Sequence, residues 1–114
     1  MQVAVIHTAF EDTPRTVAFV EVGDRTGTAA LEYAYERTNN IMGSWSRPEQ
    51  FMFDGEKFDN PDFSEDVTVV AELPVSERTG ETMGLRSTSM GDQMLLGTVK
   101  YEVAVFGFKE MEMA

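Results

Sequence analysis

An α+β domain, with a mostly antiparallel sheet and one principal helix packed on one face, is the fold this sequence predicts. Three observations carry that expectation. Short apolar runs rich in β-branched and aromatic residues recur along the chain, each bounded by turn-forming residues. A single stretch, after Thr28, repeats its apolar residues at helical spacing. The length of 114 residues, 42% of them hydrophobic and 25% charged, suits one domain over residues 1–114 with one core.

Val3 to Phe10 and Thr16 to Val22 read as two strands. Glu11-Asp12-Thr13-Pro14 turns between them, so they form an antiparallel hairpin that Gly23-Asp24 ends. Thr28 is the N-cap expected for the helix, ahead of Ala29 and Ala30. Leu31, Ala34, Tyr35, Thr38 and Met42 then share one face, with Glu32, Glu36 and Arg37 off it. Asn39-Asn40 stops the helix, because asparagine tolerates a left-handed cap.

From about 46 to 66 the regular pattern is broken by Pro48, Gly55 and Pro61. Between Glu49 and Asp66, seven acids face one base, Lys57, and Phe51, Phe53, Phe58 and Phe63 are interleaved with them. The aromatics predict a loop or insertion pinned to the body rather than free. Asp54-Gly55 is a strong hairpin-turn dipeptide between Phe51-Met52-Phe53 and Glu56-Lys57-Phe58. Val67 to Leu73 is the next expected strand, followed by a polar, turn-rich segment, Pro74 to Gly84, and a loop or edge segment from Leu85 to Asp92. Met94 to Leu96 and Lys100 to Phe108 predict a hairpin about Gly97-Thr98. Both faces of its second strand are apolar, which predicts a central position. Met111 to Ala114 is read as a frayed tail.

Charge is the clearest global signal. Lys and Arg number 9 against 20 Asp and Glu, a formal net charge of −11. Such a field repels nucleic acid and anionic membranes and attracts basic protein surfaces. Cysteine is absent, which excludes disulfides, thiolate chemistry and cysteine-based zinc sites. The apolar start, Met1 to Phe10, is too short for a membrane span and lacks a basic region ahead of it. A cytoplasmic location, bacterial or in an infected host cell, is the expectation.

The chemistry-bearing motifs are few. His7 is the single histidine, and no nucleophile or carboxylate stands at a recognisable spacing from it, so no catalytic residue is assigned and the chain is read as a non-enzyme. The acids between Asp54 and Asp66 do not follow the calcium-loop pattern, so no metal site and no cofactor is expected. Gly23 to Gly27 precedes the helix and has the form of an anion loop, although any strand-to-helix connection looks the same. Arg86, Ser87, Thr88 and Ser89 together offer a guanidinium fork and three hydroxyls, a donor set suited to phosphate or carboxylate. Alternatively these hydroxyls cap backbone groups, with Asp92 paired to Arg86.

Leu31-Glu32-Tyr33-Ala34-Tyr35 with Thr38-Asn39-Asn40, Trp45, Arg86-Ser87-Thr88-Ser89-Met90-Gly91-Asp92, and the terminal Tyr101-Glu102-Val103 and Gly107-Phe108 together make one pattern. Over roughly residues 28–108 it resembles the small YodL-like domains and related RSTSxGD-motif proteins of phages, plasmids and other mobile elements. Met90 stands where that pattern often has valine. The resemblance supplies no catalytic residues and implies a mobile-element setting. The function expected on these grounds is a small acidic accessory protein that binds the basic surface of a host protein, inhibiting a defence or nucleic-acid-processing system. The acids Glu49, Asp54, Glu56, Asp59 and Asp62 would steer the encounter, and Trp45, Phe51, Phe53 and Phe58 would anchor it. Two other classes stay open: a small anionic-ligand-binding domain, and a structural or assembly protein of a virus particle that forms a homo-oligomer.

Overall fold

The computed structural model describes residues 1–111. The tail expected at Met111 to Ala114 lies, beyond Met111, outside the described residues. The chain runs β1 (Gln2–His7), β2 (Arg15–Glu21), α1 (Gly27–Arg37), β3 (Gln50–Phe53), β4 (Glu56–Asp59), β5 (Val67–Val69), β6 (Gln93–Leu96), β7 (Val99–Val103) and β8 (Phe108–Glu110). Six strands form one sheet in the order β5-β2-β1-β6-β7-β8, and β3 and β4 pair only with each other. Every pairing is antiparallel.

The α+β expectation matches this architecture, with α1 the helix among the described residues and the sheet mostly antiparallel. β1 and β2 form the predicted hairpin and sit at the sheet's centre with β6. Their side chains alternate between the two faces. Val3, Val5 and His7 of β1, Ala18 and Val20 of β2 and Met94 of β6 register on one face and are buried. Helix α1 covers that face with Ala30, Leu31 and Ala34. Burial of such side chains contributes roughly 25 cal/mol per Å² of apolar surface, the main term holding the two layers together.

Several local expectations are corrected. The helix begins at Gly27 with Thr26, not Thr28, as its N-cap, and the Thr26 side chain makes no capping bond. Its end is where the asparagines predicted, but side chains close it. Thr38 Oγ1 donates to the Ala34 carbonyl, and Asn39 Nδ2 adds a second donor to the Tyr35 carbonyl that the Thr38 N–H already reaches. Met42 is not on the buried helical face: it lies beyond α1 and is 80% exposed.

The strand expected over Val67 to Leu73 stops at Val69. The reason is a bulge in β2. The register steps from Val5↔Ala18 to Ile6↔Thr16, leaving Val17 unpaired, and the backbone N–H groups of Val70 and Ala71 both turn to the Val17 carbonyl. The run expected as one central strand, Lys100 to Phe108, is instead two strands, β7 and β8, folded back on each other with Val103 opposite Phe108. The turn between them holds Gly107 at φ 73° and leaves Phe106 94% exposed. Glycine is what permits that backbone angle. β8 is therefore an edge, and the apolar residues that suggested two buried faces belong partly to a turn.

Candidate functional site

Two regions carry the residues singled out in the sequence. The first is built on Asp92, which is fully buried at the end of the irregular segment before β6. Arg86 grips it in a bidentate pair, Nη1 to Oδ2 at 2.7 Å and Nη2 to Oδ1 at 2.9 Å. The same carboxylate accepts the backbone N–H groups of Thr8 and Ala9, just past β1, and of Ser89. Burial works against ionisation of Asp92, but the Arg86 pair and the three N–H groups outweigh it and hold the carboxyl well below the usual carboxylate range. The partner guanidinium is correspondingly held above its ordinary value, chiefly by its hydrogen bonds to Asp92.

The hydroxyls beside Arg86 are committed as well. Ser87 Oγ accepts the Asn40 backbone N–H, and Ser89 Oγ donates to the Ser87 carbonyl. Thr88 Oγ1 donates to Thr38 Oγ1, which itself donates to the Ala34 carbonyl. With its proton spent, Thr88 Oγ1 can only accept at His7 Nε2, 3.0 Å away, so the network assigns the proton to Nε2 and leaves Nδ1 bare. That Nδ1 is buried without a partner. His7 is neutral at pH 7: burial, partly opposed by the Asp92 charge, lowers its pKa to about 4. Arg86, Ser87, Thr88 and Ser89 thus do not form an open anion site, since a ligand anion would have to displace Asp92 from the guanidinium fork. At the other glycine-rich candidate, the Gly23 N–H already donates to the Glu21 carboxylate, so one of its donors is taken by an acid of the chain itself.

Trp45 is also withdrawn from the surface. It is 1% exposed, with its ring edge-on to His7 and its Nε1–H donating 2.8 Å to the Arg86 carbonyl. The expectation that it anchors a partner is corrected, because a side chain already desolvated inside the fold has no contact area left to offer.

The second region is the segment from Arg47 to Asp66. Asp54 (φ 52°) and Gly55 (φ 80°) are the positive-φ pair that a tight two-residue hairpin needs, and β3 and β4 register across them with Phe51 opposite Phe58. Glu81, from the loop before Leu85, caps the tip by accepting the N–H groups of Asp54 and Gly55. Phe53 and Phe58 remain 46% and 41% exposed, Phe51 is half-buried, and Met52 on the other face is 52% exposed. Glu49, Asp54, Glu56 and Asp59 are exposed on the same hairpin, with Asp59 accepting from Gln50 Nε2.

Asp62 belongs to a different group. Its Oδ2 accepts three successive backbone N–H groups, those of Ile41, Met42 and Gly43, at 2.7, 2.9 and 2.7 Å. It ties down the loop that leaves α1, so its placement among the partner-steering acids is corrected. Beside it Asn60, which the sequence reading passed over, is buried and holds that loop through Oδ1 to the Ser44 N–H and through Nδ2 to the carbonyls of Ser44, Arg47 and Pro48. The only prior signal for it is its position before Pro61, where an asparagine often serves a turn.

No group of three or more metal-ligating side chains occurs among the described residues, and none of their helices is long and apolar enough to cross a membrane. Compared with known proteins, the chain matches no family model, no curated protein and no solved structure.

Proposed function

We propose that this protein is a small acidic accessory protein that works by binding the basic surface of another protein, with the β3–β4 hairpin as its contact. The resemblance to YodL-like domains supports a phage or other mobile-element setting, with a host protein of a defence or nucleic-acid-processing system as the proposed partner. One observation carries the reading. The hairpin is a separate two-stranded sheet that exposes Phe53 and Phe58 on one face and Met52 on the other, together with Glu49, Asp54, Glu56 and Asp59. Exposed apolar side chains rimmed by polar residues mark an interaction surface, and here four acids outnumber the single exposed base, Lys57. The acids accelerate encounter with a basic partner and the aromatics hold it.

The test is capture from host lysate with the wild type and with E49Q/D54N/E56Q/D59N. Asp62 is left intact because the fold uses it. The reading expects a basic host protein on the wild type alone, released by rising salt as screening removes the steering term. Equal capture by both proteins sinks it.

A second reading has its own observation. The sheet face opposite α1 has no covering layer among the described residues, and Ile6, Phe19 and Leu95 lie on it by strand alternation around Ala4. Two of the chain's three lysines, Lys100 and Lys109, alternate there with Glu102. That surface suits a second copy better than the acidic hairpin does, which supports an assembly role. Light scattering on purified protein tests it: a dimer that Phe19→Lys converts to monomer supports assembly, and a wild-type monomer at all concentrations excludes it.

A further inference from the structure

Behind the hairpin lies a groove of about 410 Å³, a volume in the range of sites that enclose a small molecule or one large side chain. Phe51, Phe53 and Phe58 line it from the hairpin, and Met42, Met83 and Leu85 from the two loops facing it. The three rings pack on one another, with centroids 6.2 Å apart for Phe51 and Phe58 and 6.4 Å for Phe53 and Phe58.

The polar side of this groove is short of acceptors. Arg47 Nε and Ser44 Oγ, both on lining residues, are buried with no hydrogen-bond partner. The Arg47 guanidinium lies over the Phe51 ring at 4.5 Å, its Nη2 reaches only the Met83 sulfur at 3.7 Å, and it pairs with no carboxylate among the described residues. In a chain of net charge −11 that is an unusual position for an arginine. Arg47 Nε and Ser44 Oγ are closed to an occupant, but the outer nitrogens of the guanidinium have no carboxylate among the described residues, and an occupant that brings an acceptor oxygen to them is favoured. The rim has the opposite character: Asp54, Glu56 and Asp59 are exposed on the hairpin, and Glu81 sits at its tip.

An occupant must therefore combine a bulky apolar body, an acceptor oxygen beside it and positive charge on either flank. We infer that the groove is an anchor pocket for one large apolar residue within an extended, basic segment of the partner protein. That residue's side chain packs among the Phe and Met side chains, and a main-chain carbonyl next to it accepts from the outer nitrogens of the Arg47 guanidinium. Lysines or arginines on either side meet the acidic rim. This inference rests on the proposed binding of a basic partner, and it adds what that partner must present besides charge.

The experiment uses the full chain and a panel of fluorescein-labelled five-residue peptides, capped at both ends, read by fluorescence anisotropy. The central residue is Phe, Leu or Ala, and the four flanking residues are all Lys, all Gln or all Glu. An anchor pocket makes Phe or Leu bind at least tenfold more tightly than Ala within each flank series. Met42→Ser and Phe58→Ser, both at exposed positions that leave the core intact, should erase that preference and keep the advantage of Lys flanks. Arg47→Met, which retains the packing length, should weaken every Phe and Leu peptide. No preference for the central residue, or no binding of any peptide at millimolar concentration, overturns the anchor pocket. Loss of the flank effect alone, with the central preference intact, would instead overturn the basic-partner reading and leave the pocket standing.

Discussion

The Asp92 cluster and the β3–β4 hairpin are built from similar residues and do opposite things. Both combine acids, an arginine and aromatic side chains: Asp92, Arg86, Trp45 and Phe10 in one, Asp54, Glu56, Arg47 and the three phenylalanines in the other. In the first, every carboxylate oxygen of Asp92 is spent on Arg86 and backbone donors, and the indole of Trp45 is buried against His7. In the second, the acids face solvent, two rings stay near half exposed, and Arg47 has no carboxylate partner among the described residues. The difference shows that residue type sets which interactions are available, whereas satisfaction decides whether a cluster is a strut or a surface. A buried polar cluster holds its shape because breaking any member strands the others. An exposed one keeps its groups free for another molecule.

Substitutions can break this contrast, and they rank by how many partners are stranded. Asp92→Ala should have the largest effect, about 4 kcal/mol of stability, because it leaves Arg86 and three backbone N–H groups without their acceptor. The urea midpoint reads it directly, and a loss below about 1 kcal/mol would contradict the strut.

Acid should come next. In the unfolded chain His7 titrates near ~6.5, but in the fold burial lowers it to about 4. The folded pKa is the lower one, so its contribution is complete above about pH 6.5 and is lost as pH falls toward 4. The loss is on the order of 2–3 kcal/mol. Below about pH 3.8 the depressed Asp92 carboxyl adds a second loss of the same sign, since it too must be protonated. Chemical denaturation from pH 7.5 to 4.5 checks the first part, and His7→Gln should flatten the slope in that window.

Asn60→Ala is expected to cost about 2 kcal/mol, as the loop from Ser44 to Pro48 loses its shared donor and acceptor. The smallest effect belongs to the hairpin. E49Q/D54N/E56Q/D59N should change stability by no more than about 0.5 kcal/mol, because those acids are exposed. Thermal melting tests this, and a large loss would mean that the hairpin acids are structural after all.

Much of the frame was legible in local pattern. The β1–β2 hairpin, α1 and the Asp54-Gly55 turn each depend on neighbours within a few residues, and each is observed. The errors have physical sources. The run from Lys100 to Phe108 alternates like a single strand, yet Gly107 turns it back, and alternation alone cannot distinguish one long strand from two short ones. Val67 to Leu73 reads as one strand, but the bulge at Val17, on a different strand, ends the ladder at Val69. Trp45 looks like a surface anchor by its acidic neighbourhood in sequence, while its actual neighbours are His7 and Arg86, far along the chain in either direction.

Charge, composition, turn chemistry and hydrophobic period are properties of short stretches, and by themselves they determined the α+β class, the helix, the hairpins and the acidic character of residues 46–66. The roles of individual polar residues were decided only by the tertiary structure. Arg86 meets Asp92 within one segment, but Thr8 and Ala9 reach that carboxylate from more than eighty positions away, and Asp62 reaches the Ile41–Gly43 backbone across about twenty. Whether a carboxylate is a strut or a contact depends on donors delivered by distant segments, and no local pattern specifies which segments those will be.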